Sequence, residues 1–362
     1  MAALLPVVVG VGLIASPAVA HGAPAPAGSI FSFGDAPNAG APGPSTKAPV
    51  VGVAMTRTNL GYWVVTADGG VFTYGDAPFY GSNAGVTTAS PIVALAATRT
   101  GHGYWLVAAD GGVFTFGDAT YYGSLGAIHL NSPIVGVAPT GTGNGYWLVA
   151  ADGGVFTFGD ATFQGSLGGA ALNAPIVGAA AVPSGKGYWL VAGDGGVFTF
   201  GDATFHGSLG AIHLNSPIVG VAPSTTGNGY WLLGSDGGVF SHGDAPFLGS
   251  APGQPATTPA VGIAATSGGR GYVVATGTKP PAALQLTGVW ACIALHESGN
   301  NPHAVNRNGH YGLFQFAPST WAAVGGQGNP ADASPQEQLK RAQILQARAG
   351  WSQWSTAGLC GV

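Results

Sequence analysis

The chain has 362 residues, room for two domains, yet only 7% of them are charged, the net charge is −4 and 64 are glycine. No basic stripe is present to release counterions from phosphate, which excludes electrostatic binding of nucleic acid. Apolar residues fall in short runs broken by glycine, so only the first twenty residues have the composition to meet a bilayer.

Residues 1–20 are uncharged and end in Ala18-Val19-Ala20, the small-x-small pattern of a signal-peptidase site. Cleavage before His21 is expected, with residues 21–28 as a flexible lead-in. The n-region lacks Lys and Arg, a departure from the usual pattern, and an uncleaved anchor is the alternative. Either reading places the rest of the chain outside the cytoplasm, with no membrane span after cleavage. The two cysteines, Cys292 and Cys360, then read as a disulfide. No CxxC or paired-His spacing accompanies them, so neither a metal nor a cofactor is expected.

A 42-residue period organises residues 29–275. Gly-Tyr-Trp recurs with Trp63, Trp105, Trp147, Trp189 and Trp231, and Gly271-Tyr272-Val273 continues the spacing without the indole. Behind each of the first five copies come Asp-Gly-Gly-Val-Phe and Gly-Asp-Ala. The third unit parses into four strands, Ile134–Ala138, Gly145–Ala150, Gly154–Phe158 and Phe163–Ser166, with Asp-Gly at the central hairpin. Ile30–Ala36 matches the second half of a unit and Pro259–Ala275 the first half. Five whole units and two halves predict a six-bladed β-propeller closed by its N-terminal strands, in preference to an open β-solenoid, which would need caps.

Residues present in every unit are expected to be structural. The Trp rings should pack between sheets, Asp68, Asp110, Asp152, Asp194 and Asp236 should hold hairpin turns, and Asp35, Asp76, Asp118, Asp160, Asp202 and Asp244 should bond backbone amides. Positions that vary on the fixed frame are the candidates for a ligand ring: Tyr80, Tyr122, Gln164, His206 and Leu248, one before each Gly-Ser. Drift at exposed positions accounts for the same variation. The repeats hold no constellation of acid, base and nucleophile, so they read as a binding or spacing module.

Composition shifts at residues 276–285, a short Pro-containing linker, and residues 286–362 form a second, mainly helical domain. Leu286, Val289, Trp290, Ile293 and Ala294 recur at helical spacing up to His296-Glu297-Ser298-Gly299. Gly299 stops the helix and leaves Glu297 in its last turn, at the negative end of the dipole. A carboxyl group there is disposed to keep a proton and give it to a glycosidic oxygen, as glycosidase acids do. Asn306-Arg307-Asn308-Gly309 marks a turn ahead of Tyr311–Phe316, and no second catalytic carboxylate stands out, since Asp332 and Glu337 sit where helix capping is ordinary.

The run from Trp290 to Trp354 resembles the resuscitation-promoting factor domains, relatives of lysozymes and lytic transglycosylases. The residues that carry the resemblance are Glu297-Ser298-Gly299-Asn300-Asn301, Tyr311–Phe316, Ser319–Ala323, Gly328–Ala331 and Gly350-Trp351. It implies a lysozyme-like fold, with Glu297 as catalytic residue, Gln315 as a substrate contact, and Tyr311 and Thr320 lining a glycan groove. Family members commonly carry a cysteine immediately before the glutamate, where this chain has His296; Cys292 lies one helical turn back. The resemblance further implies a secreted, wall-associated protein of actinobacterial type that cleaves the bond between N-acetylmuramic acid and N-acetylglucosamine in peptidoglycan, as a muramidase or a lytic transglycosylase. A wall polymer or a protein would then be the partner of the repeats. The alternative is a non-catalytic adhesin or lectin that only grips glycan.

Overall fold

The computed structural model describes residues 28–362 apart from 44, 45, 47, 129, 252–257, 278–287, 300, 302, 303 and 334. The expected signal peptide and most of the expected linker therefore lie outside the described residues. No helix among the described residues is long and apolar enough to cross a membrane.

The repeats fold into eighteen strands. Strand β1 (Ile30–Gly34) stands alone at the start, followed by β2 (Val50–Met55), β3 (Tyr62–Thr66) and β4 (Val71–Tyr74). The next units give β5 (Ile92–Ala97), β6 (Gly103–Ala108) and β7 (Val113–Gly117), then β8 (Ile134–Pro139), β9 (Gly145–Ala150) and β10 (Val155–Gly159). They continue with β11 (Ile176–Ala181), β12 (Gly187–Ala192) and β13 (Val197–Gly201), then β14 (Ile218–Pro223), β15 (Gly229–Gly234) and β16 (Val239–Gly243). Strands β17 (Ala260–Ala265) and β18 (Gly271–Thr276) complete the set.

These strands form six antiparallel sheets of three, one per unit. Sheet β1-β18-β17 joins the two half-units: Ile30 to Gly34 pair in register with Ala275 back to Gly271. First strands neighbour one another in succession, β2 beside β5, then β8, β11, β14 and β17, and β17 lies beside β2 again. The middle strands are buried along their whole length, as expected of a strand with both faces covered by neighbouring sheets.

The expected fourth strand is absent; after β10, residues 163–166 run without ladder pairing. The cause is a tyrosine of the following unit. The Tyr188 hydroxyl donates to the Gly165 carbonyl at 2.5 Å and accepts from the Gln164 amide at 3.3 Å. One side chain thus satisfies the two backbone groups a ladder would have used. Gly165 sits at φ 129°, outside the range that L side chains adopt easily. Tyr104, Tyr146, Tyr230 and Tyr272 repeat this clamp on the unit before each of them.

The Trp rings are fully buried, and their indole N–H groups donate to carbonyls of Pro78, Thr120, Thr162, Thr204 and Pro246. The hairpin aspartates accept from the Gly amide two residues on, as expected. The second aspartate set differs from expectation in that its carboxylates are held chiefly by hydroxyl groups rather than by amides. Thr98 donates to Asp118 at 2.9 Å, Thr140 to Asp160 at 2.8 Å and Ser184 to Asp202 at 2.7 Å. Thr266 donates to Asp35 at 2.9 Å, so this contact also ties the N-terminal strand to the last unit.

The C-terminal domain contains α1 (Gly288–Ser298), α2 (Pro318–Ala323) and α3 (Pro335–Ala349), with single 3₁₀ turns at Pro330–Asp332, Trp351–Gln353 and Ala357–Cys360. Ile293, Ala294, Leu313, Phe314, Phe316, Trp321, Ala342 and Trp354 form one core. Gln338 of α3 is fully buried and holds the turn between the helices, its Oε1 accepting from Leu313 N at 2.6 Å and its Nε2 donating to Ala333 O at 2.9 Å.

Candidate active site

Helix α1 ends as its sequence requires. Gly299 adopts φ 64° and its amide closes on Leu295 O, which leaves Glu297 in the final turn with a half-buried side chain. Glu297 Oε1 accepts a 2.7 Å hydrogen bond from the Thr356 hydroxyl, 59 residues further along the chain. Thr356 lies just before the Ala357–Cys360 turn, which packs on α1.

Two anchors bracket Thr356. Upstream, Trp354 is buried and donates its indole N–H to Phe314 O at 3.1 Å. Downstream, Cys360 forms the expected disulfide with Cys292 of α1, closing a separation of 68 residues with the Cα atoms 5.7 Å apart. In the chain-entropy model such a loop is worth on the order of 4 kcal/mol, a large contribution for so small a core. His296 is exposed near the two sulfurs, but these are bonded to each other and present no thiolate to a metal.

The segment 305–316 is held by single bridges, Val305 to Tyr311 and Tyr311 to Phe316, with Asn306 and Gly309 closing the expected turn. Gln315 is buried at φ 49°, a left-handed conformation uncommon for a residue with a Cβ, and its Nε2 donates to Gly312 O at 2.9 Å. Such strain collects at functional positions. Tyr311 and Thr320 are half-buried, the latter on α2. Glu337 is occupied within α3 by Arg341, whose Nε donates to it at 2.6 Å.

Sequence reasoning missed Thr356, because no local pattern signals a contact across 59 residues. The candidate ring on the repeats is partly engaged by the frame. The Tyr80 and Tyr122 hydroxyls donate to Gly101 O and Gly143 O, Gln164 Nε2 donates to Thr162, and His206 packs against Trp189 and Tyr230. Tyr122 also lines a cavity of about 360 Å³ with Arg57, Arg99, Asp118 and Asn144. The residues immediately before the ring positions are the exposed ones: Phe79, Tyr121, Phe163, Phe205 and Phe247 are each 56–62% exposed. They too were hidden from sequence reasoning, since an aromatic at every repeat reads as framework.

A helix-borne glutamate, a bridged turn and a disulfide-tied tail make up the candidate site of the second domain. Residues 285–357 match the family model described as a transglycosylase-like domain. The same region is similar to resuscitation-promoting factor Rpf of Micrococcus luteus, 44% identical over 80 residues, which are 22% of this chain and 36% of that protein. It is also 48% identical over 69 residues to RpfC of Mycobacterium tuberculosis, covering 19% of this chain and 49% of that protein. RpfE of the same species is 37% identical over 82 residues, 23% of this chain and 48% of that protein. The chain thus spans about a third to a half of the length of these relatives, and the shared part is the C-terminal domain.

Proposed function

We propose that this is an exported enzyme that cleaves peptidoglycan glycan strands at the β-1,4 bond after N-acetylmuramic acid. Residues 1–20 serve as its signal peptide, 29–275 as a six-bladed propeller that targets it to the wall, 276–285 as linker and 286–362 as the catalytic domain. The observation that carries the reading is Glu297, half-buried in the last turn of α1 within the transglycosylase-like match.

Glu297 gives its proton to the bridging oxygen as the bond from that oxygen to the anomeric carbon breaks. The resulting carboxylate then takes a proton from the attacking group. Attack by water yields a reducing end; attack by the sugar's own 6-hydroxyl yields an anhydro end. Gln315, Tyr311 and Thr320 line the groove that holds the glycan. The propeller architecture is supported by β1 completing the last sheet and by β17 returning beside β2. Its five exposed aromatic rings, one from each whole unit, offer flat apolar faces to a repeating polymer.

Purified wall sacculi test the reading. Clearing of a sacculus suspension by the wild type and none by Glu297→Gln, with equal sedimentation of both proteins on the sacculi, is the expected result. Binding by both without clearing by either leaves a wall-binding protein and removes the enzyme.

A further inference from the structure

We infer that Thr356 is a positioning residue for Glu297, and that the Cys292–Cys360 bridge serves catalysis by fixing the segment that carries it. The inference rests on the reading of Glu297 as the acid.

A carboxylic acid that must protonate a glycosidic oxygen has two oxygens and one proton, so the proton has to reside on the oxygen that faces the substrate. Thr356 donates to Oε1. An oxygen that is accepting from a fixed donor acts as the carbonyl oxygen of the protonated acid, which leaves the O–H on Oε2. The same bond fixes the plane of the carboxyl group. Threonine suits the task, because its branched Cβ restricts the hydroxyl to few rotamers.

The donor's position is itself over-determined. Trp354, two residues before it, is 4% exposed and bonded to Phe314 O, and Cys360, four residues after it, is covalently joined to the helix that bears Glu297. A tail held at one end only would sample positions in which Oε1 meets water and the choice between the two oxygens is lost. The positional demand is strict, since a misplacement of about 1 Å in such a site costs as much as 100-fold in rate.

After proton transfer the Thr356 hydroxyl bonds to a charged oxygen, a stronger interaction than with the neutral acid. Its contribution therefore grows as the proton leaves Glu297, which raises kcat rather than substrate binding. The decisive experiment measures kcat and KM for cleavage of soluble peptidoglycan glycan oligomers by the full oxidised chain. Wild type is compared with Thr356→Val, Thr356→Ala, Thr356→Ser and Glu297→Gln.

For the valine and alanine variants kcat should fall roughly tenfold, with KM unchanged. Thr356→Ser should recover most of the rate. A merely structural Thr356 would lower the melting temperature and leave kcat of the folded protein in place, and that outcome overturns the inference. Alanine keeps the test open where valine disturbs folding. If Glu297→Gln is inactive while both hydroxyl-free variants keep the wild-type kcat and KM, Thr356 has no positioning role and the acid stands. If Glu297→Gln cleaves like wild type, the reading beneath the inference falls and the inference falls with it.

Discussion

His242 shows how one residue can depart from a repeated frame at a cost. Its equivalents in other units are Tyr74, Phe116, Phe158 and Phe200, all aromatic rings set against the buried tyrosine. His242 keeps the ring contact, 5.5 Å from Tyr230, but its Nε2 is buried with no partner among the described residues. Burial pushes its pKa below the ordinary histidine range. The folded state thus holds the ring neutral while the unfolded chain protonates it near pH 6.5, so stability is full above that pH and falls as the pH drops below it. His206, beside Tyr230 as well, is the other ionisable ring in this contact, and Asp244 is the nearby carboxylate that feels its charge. His242→Phe should stabilise the repeats by about 1 kcal/mol and flatten their melting temperature between pH 5 and pH 8. An unchanged slope in scanning calorimetry across that range would show that His242 is hydrated after all.

Among single residues, the packed tryptophans and the hairpin aspartates were legible in sequence, because each is fixed by neighbours within its own unit. Asp118 and its equivalents were assigned the wrong partner. The hydroxyls that reach Asp118 belong to Thr98 and Thr100, twenty and eighteen residues earlier, in the turn after a different strand. Thr356 lay further still from any local signal, and its role depends on a fold that brings residue 356 back to 297.

At the scale of elements, the tyrosine clamp replaces a strand. Its hydroxyl is desolvated, which raises the pKa of Tyr188 above the usual phenol range, and its two bonds join neighbouring units. Tyr188→Phe keeps the ring against Trp147 and Phe200 and strands an amide and a carbonyl at the joint. A loss of about 2 kcal/mol is expected, read as an earlier midpoint in urea unfolding, with no effect on the C-terminal domain. A shift of only a few tenths of that would mean that water reaches both groups. Three strands of the third unit were visible as alternating apolar runs, and their boundaries fell within about a residue of those observed. The fourth failed because periodicity reports which residues are apolar, not which group satisfies the backbone. Helix α1 and the stop at Gly299 were legible for the opposite reason, since both cap and period are local.

For the whole molecule, the N-terminal strand is the long-range connection that matters most. Five backbone pairs join β1 to β18, and Ser29 and Asp35 add bonds to Thr276 and Thr266. A chain starting at residue 37 should expose the edge of β18 and either associate or melt several degrees lower. Light scattering and calorimetry of that truncation check this, and a monomer as stable as the full chain would separate the two half-units energetically. The joining of two half-units was readable from sequence because each half matched a recognisable part of the repeat. Whether the repeats bind a ligand was not readable, because variation on a fixed frame looks the same whether it arises from binding or from drift.

The central claim is that Glu297 cleaves glycan, and mass spectrometry of the soluble fragments from purified peptidoglycan addresses it most directly. Wild type should release disaccharide-containing fragments ending in either a reducing or an anhydro sugar, which also decides between water and the 6-hydroxyl as the attacking group. Glu297→Gln, folded and still wall-bound, should release none. Equal release of such fragments by the two proteins would contradict the account.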